Sequence, residues 1–199
     1  MKALFRQFGH PTGPLGWLVG HAMALKNGAR SRLALDVLAP KPGERVVEIG
    51  FGPGVDVSRI ASSVGSDGFV AGVDVSREMV RQATRRNDEG VRAGRVDLRV
   101  GSSERLPFES ERFDAAYATN SAQFWPDLRG GLAEVLRVLR PGGRALVVVQ
   151  PMWRGATESD THAWRDKLRD GMNEVGFRSV ETEEVQLAPL LAVLATGIR

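Results

Sequence analysis

The 199-residue sequence contains no cysteine, which excludes disulfide bonds, thiol catalysis and thiolate metal sites. It also lacks an apolar run of about 18 residues, the length that a membrane-spanning helix needs. The first residues, MKALFRQFGHPTG, do not contain the apolar core and small-residue cleavage site of a secretory signal. These absences together favour a cytoplasmic protein.

Strong charge of one sign is missing as well. The formal net charge is +3, with 26% charged and 42% hydrophobic residues, as in ordinary globular domains. Residues 1–45 hold seven Lys and Arg against two Asp and Glu, whereas the remainder holds twenty against twenty-two. This basic excess is only a weak argument for nucleic-acid binding, which needs basic residues clustered on a binding face, so we expect no nucleic-acid partner. No cluster of metal ligands is visible, so no metal is expected.

Short apolar segments alternate with helical patterns through most of the chain. The predicted strands are Arg45–Ile49, Gly68–Val73, Val96–Val100, Phe113–Ala118, Ala145–Val149, Ser179–Val185 and Leu190–Thr196. The predicted helices are Leu15–Leu25, Ala29–Leu38, Val55–Val64, Ser76–Arg86, Leu128–Leu139 and Glu158–Val175. This alternation predicts an α/β fold, a Rossmann-like doubly wound parallel sheet with helices on both faces. The last two strands are joined by too short a connection for a crossover, so they must pair antiparallel.

A glycine-rich turn, Gly50 to Gly54, follows the first predicted strand. Its GxGxG spacing differs from the GxGxxG of dinucleotide-binding proteins. In sheets of this kind, ligands bind at the carboxyl ends of the strands. Asp74 ends the second strand, 20 residues after Gly54. A carboxylate there can accept hydrogen bonds from a ribose diol, although it could instead cap the helix that follows.

Four motifs occur in order: VVEIGFGPG, GVDVS, GSSERLPFESERFDAAYA and EVLRVLRPGG. Together they resemble the class I S-adenosylmethionine (SAM)-dependent methyltransferases, in particular the small-molecule branch that includes ubiquinone and menaquinone methyltransferases. The resemblance covers about residues 45–150. It implies a seven-stranded sheet with an antiparallel last strand, SAM as cofactor and S-adenosylhomocysteine (SAH) as product. The implied activity is methyl transfer to an oxygen, nitrogen or carbon atom of a small molecule.

The resemblance also implies which residues hold the cofactor. Glu48 would contact the methionine end, Asp74 the ribose hydroxyls and Val75 the adenine. Ser102 stands where the family usually has an aspartate that meets the adenine amino group, and its hydroxyl can still accept a hydrogen bond. The full cofactor set is Glu48, Gly50, Phe51, Gly52, Gly54, Asp74, Val75, Ser102, Ser103, Asn120 and Ser121.

Aromatic and amide side chains follow the fourth and fifth strands, where the acceptor would bind. The predicted acceptor residues are Trp17, Gln123, Phe124, Trp125, Gln150 and Trp153. Such a wall favours an apolar or aromatic acceptor, although Phe124 and Trp125 could simply anchor the next helix. His10 and His21 are candidate bases, with His162 a weaker one. Methyl transfer driven by proximity and orientation needs no protein base.

We expect two units, an N-terminal helical lid over residues 1–40 and a SAM-binding domain over residues 41–199. Trp17, His21 and Leu25 share one helical face in the first unit. A basic, apolar helix there could also contact an anionic membrane surface or form a dimer element. Monomer and homodimer both stay open.

Two other functions fit parts of this pattern. A non-catalytic SAM-binding regulator is consistent with Ser102 and with the lack of an obvious base. An NAD-dependent oxidoreductase is disfavoured by the glycine spacing. RNA or protein amino-group methylation is disfavoured because no Asn-Pro-Pro-Tyr or Asp-Pro-Pro-Tyr segment follows the fourth strand.

Overall fold

A seven-stranded sheet organises residues 28–199, the part of the chain that the computed structural model describes. The predicted helix Leu15–Leu25 and the residues His10, Trp17 and His21 lie outside the described residues, so the roles assigned to them stay predictions. No helix within residues 28–199 combines the length and apolar character that crossing a membrane requires.

The described residues form seven strands and six α-helices. The strands are β1 Arg45–Ile49, β2 Phe69–Asp74, β3 Val96–Val100, β4 Phe113–Thr119, β5 Leu139–Val149, β6 Arg178–Val185 and β7 Ala192–Ile198. The helices are α1 Gly28–Leu38, α2 Val55–Val64, α3 Arg77–Arg86, α4 Asp88–Arg92, α5 Leu128–Val138 and α6 Glu158–Val175, with a 3-10 turn at Ala122–Phe124.

The strand order is β3-β2-β1-β4-β5-β7-β6. Strands β1 to β5 pair in parallel, whereas β7 is antiparallel to both β5 and β6. This confirms the predicted doubly wound sheet with an antiparallel last strand. The chain runs outward from β1 in one direction through β2 and β3, and in the other through β4 and β5. The order therefore reverses between β1 and β4, which is where such sheets bind ligands.

Two apolar clusters cover the two faces of the sheet. Val46 and Val47 are adjacent in β1 but belong to opposite clusters, because side chains alternate along a strand. Both are fully buried, which explains why this central strand is a continuous apolar run. Leu168 and Met172 of α6 are fully buried in the cluster on one face, and Ile60 of α2 in that on the other.

The structure departs from the predicted elements at two places. Helix α4 was missed because its five residues, DEGVR, carry no apolar period. Strand β5 starts at Leu139, where the predicted helix ends, rather than at Ala145, so the Pro141-Gly142-Gly143 segment lies inside a strand. Gly142 has a φ of 79°, and the pairing register shifts between Phe113 and Ala115 of β4. This irregularity admits residues that otherwise favour turns.

Candidate active site

A cavity of about 470 Å³ lies at the carboxyl ends of β1, β2 and β4, at the reversal of strand order. Its volume falls within the range of roughly 300–1,000 Å³ that small-molecule sites occupy. Ten of the eleven predicted cofactor residues line it: Glu48, Gly50, Phe51, Gly52, Asp74, Val75, Ser102, Ser103, Asn120 and Ser121. The structure therefore brings together residues that are far apart in the sequence.

The three glycines of the loop after β1 all have positive φ angles but meet different surroundings. A Cβ atom on Gly50 would overlap the Ser121 side chain, and one on Gly54 would lie 2.6 Å from Ala83 Cβ of α3. A Cβ atom on Gly52 would meet no protein atom within 4 Å. Gly54 does not line the cavity, contrary to its predicted place there, because it serves the packing of α2 on α3. Gly52 is the position where the missing side chain leaves open space.

Alanine substitutions should separate these two roles of glycine. Gly52→Ala is expected to destabilise the protein by about 1–2 kcal/mol, the usual effect of a left-handed backbone on an L-residue. Gly50→Ala adds a steric overlap of about 1–3 kcal/mol to the same strain, so a total loss of about 2–5 kcal/mol is expected. Urea unfolding of both variants measures the difference. Equal losses of stability would show that Gly50 is not tightly packed.

Asp74 is the acid at the end of β2, and it is 8% exposed. Its Oδ2 atom accepts a hydrogen bond from the Gly52 N–H at 2.9 Å, and its Oδ1 atom accepts one from the Ser76 N–H at 2.8 Å. The carboxylate therefore orders the glycine loop and ties it to the start of α3. Ser76 is the residue that caps α3, because its Oγ atom accepts from the Met79 N–H. The alternative interpretation of Asp74 as that helix cap is wrong.

Glu48 lies in the cavity wall with only 1% of its surface exposed. Burial raises the pKa of this carboxyl well above its usual value, and the nearby charges of Asp56 and Asp74 raise it further. Its Oε2 atom is buried and has no hydrogen-bond partner within residues 28–199. Buried polar atoms without partners are rare in folded proteins, so a donor on a ligand is the expected partner.

Asp56, Arg59 and Ser31 also line the cavity, and the sequence analysis missed all three. Asp56 is buried and accepts hydrogen bonds from Ser31 Oγ, from Arg59 Nη1 at 3.1 Å and from the Tyr117 hydroxyl at 3.2 Å. Burial, reinforced by the charge of Asp56, raises the pKa of Tyr117 well above its usual value. One signal was available: helical spacing places Asp56 on the buried face of α2 with Ile60.

The predicted acceptor residues divide into two groups. Phe124 and Trp125 line the cavity, whereas Gln123, Gln150 and Trp153 are not in its wall. Phe124 is 50% exposed. Trp125 packs so closely on α5 that a Cβ atom on Gly131 would overlap its ring. Trp125 therefore both lines the cavity and anchors α5, the helix that follows it.

Gln150 has a structural environment that its sequence position did not reveal. Its side chain is 2% exposed and accepts a hydrogen bond from Arg30 Nη1 at 2.6 Å. It donates to the carbonyl oxygens of Leu190, at 2.7 Å, and Ala188. These contacts use the amide to join α1 to the segment before β7, so it is not presented to an acceptor.

Other polar groups of the cavity wall bind neighbouring loops. Asn120 has a φ of 47°, and its Oδ1 atom accepts from the Gln150 N–H at 2.7 Å. Ser121 Oγ donates to the Ile49 carbonyl oxygen at 2.6 Å, and Ser102 Oγ accepts from the Glu104 N–H at 3.3 Å. These contacts hold the ends of β1, β4 and β5 in a fixed arrangement around the cavity.

His162 does not line the cavity, and its Nδ1 atom lies 2.8 Å from Glu184 Oε1 of β6. This position contradicts even its weak candidacy as a base. Within residues 28–199, no group of three or more His, Asp or Glu residues is arranged to hold a metal ion.

The fold and the site define a Rossmann-like domain with a cavity beside a glycine loop and an acid at the end of β2. The family model described as "Methyltransferase domain" matches residues 46–143. An O-methyltransferase of Aspergillus nomiae is 31% identical over 173 residues, which is 79% of this chain and 76% of the relative. The chain belongs to the class I SAM-dependent methyltransferases, which confirms the predicted family and SAM as cofactor.

Two further comparisons agree with this assignment. The methyltransferase YdaC of Bacillus subtilis is 28% identical over 180 residues, covering 90% of this chain and 97% of YdaC. The crystal structure of a SAM-dependent methyltransferase from Aquifex aeolicus has a TM-score of 0.69 at 18% identity, covering 84% of this chain and 88% of that one. This second likeness concerns the fold alone.

The residues of the cavity fit SAM, which carries a sulfonium, an ammonium and a ribose diol. Glu48, Asp56 and Asp74 place three carboxyl groups in one wall, which suits a cationic ligand. The buried Oε2 atom of Glu48 offers an acceptor to an ammonium group. Gly52 leaves space beside these acids.

Proposed function

We propose that this protein transfers the methyl group of SAM to a small-molecule acceptor and that the described cavity is where it does so. In this proposal the adenosine part binds at Asp74 and Ser103, and the methionine part binds at Glu48. The observation that carries this proposal is the pairing of Asp74, which orders the glycine loop, with the unpartnered buried oxygen of Glu48 in the same wall. Family membership supports it independently.

Each part of the cofactor has a proposed partner among the residues of the wall. Asp74 accepts hydrogen bonds from the two ribose hydroxyls. Val75 and Met79 flank the adenine, since both line the cavity near Asp74. Ser102 and Ser103 supply the polar contacts to the adenine edge. The roles of Asp74, Val75, Ser102 and Ser103 agree with what the family resemblance implies, whereas Met79 is an addition.

When bound, SAM supplies a methyl carbon that is activated by the neighbouring sulfonium. The protein's contribution is to hold the acceptor in line with that carbon and to exclude water, which alone can give large accelerations. Among the described residues of the cavity wall there is no histidine. The described residues are proposed to act by orientation, and His10 and His21, which lie outside them, stay candidate bases.

The acceptor is proposed to be an apolar or aromatic small molecule that is methylated on oxygen. Phe124 and Trp125 supply an aromatic wall, and the side chain of Met152, which is 47% exposed, contacts Asn120 of the same cavity. The O-methyltransferase name of the Aspergillus nomiae relative favours oxygen. Nitrogen and carbon acceptors are the alternatives.

The proposed lid is limited to the first 27 residues. Helix α1 falls within the predicted extension of residues 1–40, but Ala34 and Leu38 bury it in the core of the domain. The remaining segment is proposed to cover the acceptor. Contact of this segment with an anionic membrane surface stays a prediction. Monomer and homodimer both stay open.

A labelling experiment tests the proposed activity. The protein is incubated with SAM carrying a deuterated methyl group and a panel of phenols, carboxylic acids, amines and quinones. Mass spectrometry is expected to find one or more labelled products, with SAH formed in equal amount. Tight SAH binding without any labelled product would instead support the non-catalytic SAM-binding alternative.

A further inference from the structure

The proposed function leaves one charged group of the cavity without a role. Ser31, Glu48, Asp56 and Arg59 form the polar end of the cavity. Arg59 is the one positively charged residue among the described residues that line the cavity. A cation in a wall that otherwise carries carboxylates is expected to serve an anionic group of a ligand.

The guanidinium group of Arg59 is held in place along one edge. Its Nη1 atom donates to Ser31 Oγ at 2.5 Å and to Asp56 Oδ1 at 3.1 Å. Ser31 of α1 and Asp56 of α2 are themselves buried, so both anchors are fixed by the core. The Nε and Nη2 atoms have no hydrogen-bond partner within residues 28–199. A planar guanidinium with one free edge matches the geometry of a carboxylate.

An acidic group lies at the same end of the cavity. Glu48 is close enough to Asp56 for that charge to raise its pKa, and its Oε2 atom is buried without a partner. The polar end thus combines a free guanidinium edge with a free carboxylate oxygen. This combination complements an amino-acid zwitterion, which carries one carboxylate and one ammonium group.

We infer that Arg59 binds the carboxylate of the methionine part of SAM, while Glu48 accepts the ammonium and Ser31 and Asp56 act as positioning residues for Arg59. The inference rests on the proposed function, because it concerns the same cofactor. It adds a specificity determinant: the protein distinguishes SAM and SAH from adenosine thioethers that lack the amino-acid part.

Comparing the affinities for two ligands distinguishes carboxylate binding by Arg59 from a general effect of its substitution on the cavity. SAH has the amino-acid part, whereas 5′-methylthioadenosine keeps the adenosine and the sulfur but lacks it. In calorimetric titrations, Arg59→Gln is expected to weaken SAH binding by about 10- to 100-fold, the usual value of a hydrogen bond between charged groups. The affinity for 5′-methylthioadenosine should change by less than about twofold. Arg85→Gln, which removes an exposed charge from α3, is the matched control and should affect neither ligand.

A second variant tests the positioning role without changing any charge. Ser31→Ala removes one anchor of Arg59 and is expected to weaken SAH binding by about 3- to 10-fold, with 5′-methylthioadenosine unaffected. Ser62→Ala, on the exposed side of α2, is its control. Thermal unfolding of each variant verifies that the protein is folded.

Each result of these titrations leads to a different conclusion. Equal weakening of both ligands by Arg59→Gln would overturn the inference, since the change would then act on the whole cavity. Unchanged SAH affinity in Arg59→Gln would also overturn it. A wild-type protein that binds neither ligand would contradict the proposed function itself, and the inference with it.

Discussion

Asp74→Ala is expected to lower the affinity for SAH by at least about 100-fold. The substitution removes the two proposed hydrogen bonds to the ribose diol, each involving a charged acceptor and each contributing about 1.5–3 kcal/mol. It also removes the acceptor for the Gly52 N–H, so the loop that lines the cavity loses its anchor. Titration calorimetry with SAH measures the change.

Asp67→Ala is the matched control for this prediction. Asp67 lies in the exposed turn after α2 and hydrogen-bonds only with Ser66 among residues 28–199. Removing its carboxylate changes the net charge equally and should leave SAH binding unchanged. If Asp74→Ala bound SAH with wild-type affinity, the ribose would have to lie elsewhere, and the orientation proposed for the cofactor would be wrong.

Glu48→Gln is expected to stabilise the folded protein while it impairs ligand binding. Burial raises the pKa of Glu48 in the folded state, with Asp56 and Asp74 adding to the shift, so folding favours the protonated carboxyl. The stability that this group contributes is fully present below its unfolded pKa, about 4.3, and is lost as the pH rises through the folded pKa. Gln stays neutral, so the gain in stability from the substitution should be larger at pH 8 than at pH 5.

The same variant should weaken SAM binding by about 10-fold or more at pH 8, because the neutral amide does not attract an ammonium group. In the wild-type protein, SAM affinity should rise with pH as Glu48 ionises, since a cationic ligand favours the ionised carboxyl. Urea unfolding and calorimetry at both pH values measure these effects. Glu183→Gln, exposed on β6, is the control. A stability change that is the same at pH 5 and pH 8 would show that Glu48 does not titrate as the structure implies.

The opposite signs of these two effects follow from one cause. A buried carboxyl without a partner is unfavourable for folding, and the same group is favourable when a cationic ligand arrives. Glu48 thus belongs to the residues that serve binding at the expense of stability.

The sequence was sufficient to predict features that depend on local patterns. The apolar run of β1, the glycine turn and Asp74 at the end of β2 all follow from periodicity and turn chemistry. The antiparallel pairing of β6 and β7 could be predicted because the short connection between them excludes a crossover. The family motifs then assigned ten residues that the structure does bring to one cavity.

Contacts between distant parts of the chain could not be predicted. Asp56 bonds to Ser31, 25 residues earlier, and to Tyr117, 61 residues later. No local pattern indicates that α1 and β4 supply those partners. Gln150 shows the converse case, because its place after β5 predicts an acceptor contact while Arg30, 120 residues away, binds its amide. Gly54 is a third example. It packs on α3, and the residues next to it in the sequence do not indicate that contact.

The central claim, that this cavity binds SAM through Asp74 and Glu48, is tested most directly by titrating the purified protein with SAM, SAH and NADH in a calorimeter. We expect micromolar binding of both sulfur ligands and no binding of NADH, with SAH binding lost in Asp74→Ala and SAM binding weakened in Glu48→Gln. Binding of NADH, or of none of the three, would contradict it.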